Sequence, residues 1–198
     1  MSDDSAAKPE KIFNVPNQLT AARLILSIVV FVLLSFELYL PALIVFLVAA
    51  STDWVDGFYA RRYDQVTQVG RIFDPFVDKA IICGVFIFLC ADPASGIHPG
   101  IAVVVVGREL LVTALRAFIE QSGGDFSASW SGKLKMVFQC VAVVASIWTL
   151  HVIGPPDSRT EAPAWLQTTL FISVWVAAIS TVQSGAGYVV AVLRFVRS

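Results

Sequence analysis

The chain reads as an all-α, polytopic membrane protein: six transmembrane helices, with a short N-terminal interfacial helix, around a polar active-site cavity open to the cytoplasm. Three observations predict this. Of the 198 residues, 57% are hydrophobic and only 15% charged, and the mean hydropathy is +0.74. Six long apolar runs alternate with short polar breaks. The basic residues fall almost entirely on one side of those runs. A soluble domain carries about 25% charge, so an ordinary cytosolic enzyme is excluded. A disordered chain is excluded as well, because so much apolar surface does not stay unfolded in water. Six spans of about 20 residues occupy roughly 120 positions. The loops are therefore short, and any active site must be built from the spans and their ends.

Residues 1–16, MSDDSAAKPEKIFNVP, are polar and mixed in charge. They form a cytoplasmic segment in which Lys11, Phe13 and Val15 read as a short helix lying in the membrane interface. No small-residue cleavage site follows, so the first apolar run is a retained span. The spans, within one domain over residues 17–198, are Leu19–Phe36, Pro41–Ala60, Phe76–Ala91, Ile97–Ile119, Leu134–Ile153 and Ala164–Phe195. Each is long enough to cross a bilayer, some with tilt. The breaks carry turn residues, as in Asp92–Gly96, Ser122–Asp125 and Gly154–Asp157. Cys83, Cys90 and Cys140 lie inside apolar runs and read as small buried hydrophobes. His98 and His151 have no ligand partners nearby in sequence and read as interfacial. Trp130, Trp148 and Trp165 fit an aromatic belt near the span ends. Gly185 and Gly187 permit close helix packing.

Positive charge orients the bundle. With the N-terminus cytoplasmic, 13 of the 14 bases fall on the cytoplasmic side and only Arg159 falls outside. Both termini are then cytoplasmic. The net charge of −1 gives no field to recruit nucleic acid.

The connection between the second and third spans carries the chemistry. It reads Asp53-Trp-Val-Asp56-Gly57-Phe-Tyr-Ala60-Arg61, then Gly70-Arg-Ile-Phe-Asp74-Pro-Phe-Val-Asp78. A carboxylate deep in a bilayer costs roughly 2.5–3.5 kcal/mol even on the mild insertion scale, so four of them require water, a cation, or both. Asp53, Asp56, Gly57 and Ala60 share one helical face of about 100°. Asp74 and Asp78 are one turn apart on the next helix. Carboxylates from two facing helices suit a divalent metal with open positions for phosphate oxygens. The competing reading makes them helix caps. Asp74 before Pro75 has that form, whereas Asp53 and Asp56 near a helix C-terminus oppose the macrodipole.

Eight residues at fixed spacing, from Asp53 to Asp78, match the signature of the CDP-alcohol phosphatidyltransferases, and the chain resembles that family. Asn17-Gln-Leu-Thr20-Ala-Ala-Arg23, Thr67, Gly107-Arg108-Glu109 through Arg116, and Ser131-Gly132-Lys133-Leu134-Lys135 with Gln139 resemble its bacterial phosphatidylglycerophosphate-forming branch. Asp64 and Met136 depart from that branch, which usually has Asn and Thr there.

The resemblance implies transfer of a phosphatidyl group from CDP-diacylglycerol to sn-glycerol 3-phosphate, releasing CMP, in the cytoplasmic (inner) membrane of a bacterium. It implies a homodimer among membrane lipids and a two-metal site for Mg²⁺ or Mn²⁺. Asp53, Asp56 and Asp74 would ligate one ion and Asp53, Asp74 and Asp78 the second, with Asp78 also the general base. Asn17, Gly57, Ala60, Arg61, Thr67 and Gly70 would contact CDP-diacylglycerol. Arg108, Arg116, Lys133 and Lys135, at the cytoplasmic ends of the fourth and fifth spans, are candidates for the acceptor phosphate. Those cations read alternatively as anchors at anionic headgroups. Glu109 and Arg116, seven apart, share a helical face and can pair. Other acceptors, inositol phosphate or phosphatidylglycerol, stay open within the family. A divalent-cation transporter is the reading from another class, opposed by the clustering of the acids at one membrane face.

Overall fold

The computed structural model describes residues 15–59, 68–121 and 130–197. Those residues form six α-helices and no strand: α1 (Val15–Ser35), α2 (Tyr39–Tyr59), α3 (Gln68–Cys90), α4 (Pro99–Gln121), α5 (Trp130–Ile153) and α6 (Ala164–Arg197). Prolines mark several starts. Pro16, Pro41 and Pro99 lie in the first turns of α1, α2 and α4, where a missing N–H costs nothing. Inside the helices, hydroxyls return to the chain. Ser27 Oγ donates to the Arg23 carbonyl at 2.8 Å, Thr149 Oγ1 to Ala145 at 2.8 Å and Thr181 Oγ1 to Ala177 at 2.6 Å. That satisfies a polar side chain without an outside partner.

Each expected span lies within or closely over one helix. The largest difference is at α3, which begins at Gln68, eight residues before the apolar run that starts at Phe76. Hydropathy marks the stretch that favours lipid, whereas the helix is propagated by backbone hydrogen bonds and runs on through polar residues. Of the segment 1–16 expected to hold a short interfacial helix, residues 1–14 lie outside the described residues, while Val15 and Pro16 form the first turn of α1. The three cysteines are free and half-buried rather than fully buried.

All three described connections lie at one end of the bundle. The α1–α2 turn passes through Glu37 at φ 59°. The α3–α4 connection holds a 3₁₀ turn, Pro93–Ser95, capped by Asp92 Oδ1 accepting from Ala94 N at 3.0 Å. Arg159, in the α5–α6 connection, donates to Asp92 Oδ2 and ties two of these connections together. This hydrogen bond raises the Arg159 pKa above its ordinary value.

α5 occupies the centre and packs against α2, α3 and α6; α1 packs on α2 and α3, and α4 on α3 and α6. The shared core joins Val30, Phe46, Phe86, Val105, Ile147 and Val174, one from each helix. Gly84 lets the Phe31 ring lie against α3, since a Cβ there would stand 2.2 Å from Phe31 Cζ. The outward faces are apolar too. Ile25, Ile44, Ile87, Val103, Val137 and Phe171 are all more than half exposed, again one from each helix. A water-soluble bundle does not carry so continuous an apolar coat. Among the described residues, two helices, over Gly132–Ile153 and Ala164–Arg194, are by themselves long and apolar enough to cross a membrane.

Gly96 has φ +72°, and a Cβ on it would meet Leu170 at 2.9 Å. Gly96→Ala is therefore expected to destabilise the fold by about 1–3 kcal/mol through combined strain and overpacking. Denaturant unfolding in detergent measures this, and an unchanged midpoint would contradict the strain.

Candidate active site

The acidic string spans the end of α2 and the start of α3. Asp53, Asp56 and Gly57 lie in the last turns of α2, and Gly70, Asp74 and Asp78 in the first turns of α3. Their side chains lie outside the described residues, but the register of each helix is set by the residues further along it. In α2 the inward stripe is Ala42, Phe46 and Ala49, each at most 1% exposed. Position 53 lies about 20° from Phe46, and position 56 about 20° from Ala49, around that helix. In α3 the inward stripe is Ile81, Val85 and Leu89. Position 74 lies about 20° from Ile81, and position 78 about 20° from Val85. All four aspartate positions thus fall on the stripes that continue into the core.

The cap reading of Asp74 is corrected by the same register. α3 starts at Gln68, so Asp74 and Pro75 are inside the helix rather than at its first turn. Pro75 has no N–H to give the carbonyl one turn back, at Arg71. Of the other expected nucleotide contacts, Asn17 is in α1 with its side chain outside the described residues, and Ala60, Arg61 and Thr67 lie wholly outside them.

α1 adds a buried cation. Arg23 is 6% exposed, on the stripe continued by Ser27, Val30 and Leu34. Its helix packs against both α2 and α3. Counted from the connected end of the bundle, Arg23, Asp53 and Asp78 all lie about 18–21 Å deep at 1.5 Å per residue. In the sequence Arg23 was one cytoplasmic base among thirteen. Its burial against the acidic helices needed the packing.

A second polar cluster joins α4, α5 and α6. Lys135, 4% exposed, donates to Glu109 Oε1, and the Arg108 guanidinium stands 3.4 Å from the same carboxylate. Arg108 Nη2 also donates to Ser184 Oγ, and its Cζ lies 5.4 Å from the centre of the Tyr188 ring. Arg116 Nη2 donates to the Tyr188 hydroxyl at 3.2 Å. Nearby, Gln139 Nε2 donates to Thr181 Oγ1 at 3.0 Å. Gly185 makes room for this, because a Cβ there would stand 3.1 Å from Arg108 Cγ. The close packing expected at Gly185 is thus a contact between α6 and α4 within one chain.

The structure brings Arg108, Arg116 and Lys135 into one cluster. Lys133, two residues from Lys135 and about 160° away around the helix, is exposed. Glu109 pairs with Lys135 and Arg108, and Arg116 pairs with Tyr188 rather than with Glu109. The α6 contribution was missed in the sequence. Its signal was present: Thr181, Ser184 and Tyr188 are polar positions at i, i+3 and i+7, on one face of a mostly apolar helix, all buried.

A family model described as CDP-alcohol phosphatidyltransferase matches residues 13–183. A protein of Bacillus subtilis (strain 168) named CDP-diacylglycerol–glycerol-3-phosphate 3-phosphatidyltransferase is 31% identical over 192 residues, covering 89% of this chain and 94% of that protein. Proteins of the same name from Escherichia coli (strain K12) and Shigella boydii serotype 4 (strain Sb227) are 32% identical over 185 residues, covering 89% of this chain and 93% of each.

Lys135→Met would leave the buried Glu109 carboxylate with only the longer Arg108 contact among the described residues, and is expected to cost about 3 kcal/mol of stability. Lys133→Met, on the exposed face, should stay within about 0.5 kcal/mol of the unsubstituted protein. Unfolding midpoints of the two variants in one detergent compare them directly. Equal shifts would contradict the burial difference.

Proposed function

The chain belongs to the CDP-alcohol phosphatidyltransferase family, and from that premise we propose that it transfers the phosphatidyl group of CDP-diacylglycerol to sn-glycerol 3-phosphate, giving phosphatidylglycerophosphate and CMP. The observation that carries the reading is the pair of inward acidic stripes on α2 and α3, beside a buried cluster with surplus positive charge. The relatives named for that reaction match nearly end to end. The same reading places six spans in a bacterial cytoplasmic membrane, with both termini and the site at the cytoplasmic face, and takes the enzyme to be a homodimer.

Four carboxylate positions on the inward stripes of α2 and α3, both of which pack on α1 and α5, are a hard-oxygen donor set of the kind that Mg²⁺ or Mn²⁺ takes. Asp53, Asp56 and Asp74 would hold one ion, and Asp53, Asp74 and Asp78 a second. The chemistry supplied by such ions is neutralisation of the diphosphate and of the departing CMP. Gly57 and Ala60 would leave room for the nucleotide, Asn17, Thr67 and Gly70 would contact it, and Arg61 would meet diphosphate oxygens. Asp78 takes the proton of the acceptor hydroxyl as its oxygen bonds to phosphorus. The bond from that phosphorus to the CMP oxygen breaks, and CMP leaves with the bonding pair.

The acceptor is argued from charge. Arg108, Arg116 and Lys135 set against Glu109 leave a surplus of two positive charges. A phosphate monoester is a dianion near neutral pH, so the cluster suits a phosphorylated acceptor better than a neutral alcohol such as serine. Inositol phosphate satisfies the same charge rule; the relatives' names favour glycerol 3-phosphate. A cation transporter has no use for the basic cluster.

Asp78→Asn is expected to abolish CMP release while sparing CDP-diacylglycerol binding; retained turnover in purified protein would remove Asp78 as the base. Arg116→Ala should raise the KM for glycerol 3-phosphate at least about tenfold, the loss of one charged hydrogen bond, with little change for CDP-diacylglycerol. Equal changes for both substrates would count against the acceptor assignment. Turnover and KM are read from CMP release with a panel of acceptors in the presence of Mg²⁺ or Mn²⁺, and CDP-diacylglycerol binding by the inactive variant from calorimetry.

A further inference from the structure

We propose that Tyr188 is a positioning residue that locks Arg108 and Arg116 into one phosphate-binding fork, and that α6 thereby specifies a phosphorylated acceptor. The inference rests on the acceptor reading above and goes beyond it by assigning the residue that builds the subsite.

Arg108 and Arg116 are eight residues apart on α4. That is about 12 Å along the axis and about 80° around it, so the helix alone does not make their guanidinium groups converge. Tyr188 reaches both. Its hydroxyl accepts from Arg116 Nη2 at 3.2 Å, and its ring lies 5.4 Å from Arg108 Cζ. The side chain is 5% exposed, so both contacts are made away from bulk water, where a cation–π contact is strongest. Ser184, one turn earlier on α6, accepts from Arg108 Nη2 and holds the other edge of the same guanidinium. Glu109 is answered by Lys135 and by one edge of Arg108, so the three cations of the cluster keep a surplus of two positive charges.

Two further donors point to a ligand. The Nε atoms of Arg108 and Arg116 are both buried and have no hydrogen-bond partner among the described residues. Buried N–H groups are rarely left so, and each guanidinium has five donors in a fixed plane. A phosphate monoester supplies the acceptor oxygens and the two negative charges that this arrangement lacks. A neutral alcohol supplies neither. Tyrosine suits the linking role because its ring and hydroxyl act on different arginines. Phenylalanine would keep the first contact and lose the second.

The test uses the full-length protein in detergent, with Tyr188→Phe, Tyr188→Leu and Ser184→Ala. CMP release gives KM for glycerol 3-phosphate and for CDP-diacylglycerol, and calorimetry gives the Kd for inorganic phosphate. Tyr188→Phe is expected to raise the KM for glycerol 3-phosphate and the Kd for phosphate about fivefold, and Tyr188→Leu about tenfold or more, with KM for CDP-diacylglycerol within about twofold. Ser184→Ala should fall near Tyr188→Phe. Unchanged phosphate affinity in Tyr188→Phe, or an equal rise in both KM values, overturns the proposal. If Tyr188→Leu does not fold, the near-isosteric Tyr188→Phe decides. A wild-type protein that binds phosphate through Tyr188 but releases no CMP with glycerol 3-phosphate would sink the acceptor reading while leaving the fork intact. A wild-type protein that does not bind phosphate overturns the fork.

Discussion

A carboxylate buried in an apolar bundle must be answered by a cation, and Glu109 imposes that demand on three helices. An unpaired charge in such a place would cost several kcal/mol. Lys135 meets it from α5 and Arg108 from α4, so a side-chain link joins elements that apolar packing alone would leave free to slide. The remaining reach of Arg108 goes to Ser184 and the Tyr188 ring on α6, and Tyr188 in turn engages Arg116. Each contact uses a donor left unused by the previous one. The close approach of α6 that this needs is possible because position 185 has no side chain.

The apolar exterior and the polar interior are consequences of the same demand. In lipid a helix can expose isoleucine, valine and phenylalanine without penalty, and each of the six helices does so. Polar groups then have nowhere favourable to go but inward. Serine and threonine hydroxyls return to their own helix. Arg23, Gln139, Glu109 and Lys135 collect in the interior, and the acidic positions of α2 and α3 continue inward stripes. The opposite end of the bundle is closed by short turns and one ion pair between connections. Charged positions are thereby gathered toward the end where α2, α3, α4 and α5 have their polar termini.

Much of this was legible in the residues. Six apolar runs correspond to six helices because a span needs a long apolar stretch and the breaks between these stretches carry turn residues. The acidic string was legible because carboxylates are expensive in a bilayer and their spacing is helical. Helix starts were less legible. Phe76 opens the apolar run while α3 opens at Gln68, since hydropathy reports the surroundings of a residue and not its backbone conformation. That difference turned Asp74 from an apparent cap into an interior position. Glu109 and Arg116 share a face and seemed a natural pair, yet nearer partners from other helices take both. Helical periodicity ranks neighbours along one helix and cannot rank those across a packing interface.

The sequence by itself therefore determined the class of protein, the number of helices among the described residues and the acidic signature. These follow from composition and spacing along one dimension. Tertiary structure decided which cations are buried in the shared cluster and which stay at the surface. Lys133 and Lys135 differ by two residues in the chain, but one is exposed and the other is buried against Glu109. Arg108 and Arg116 share Tyr188, which is more than seventy residues away in sequence. Only the packing of α4 and α5 against α6 brings those groups within a few ångströms, because hydrogen bonds and ion pairs depend on distance in space rather than separation along the chain.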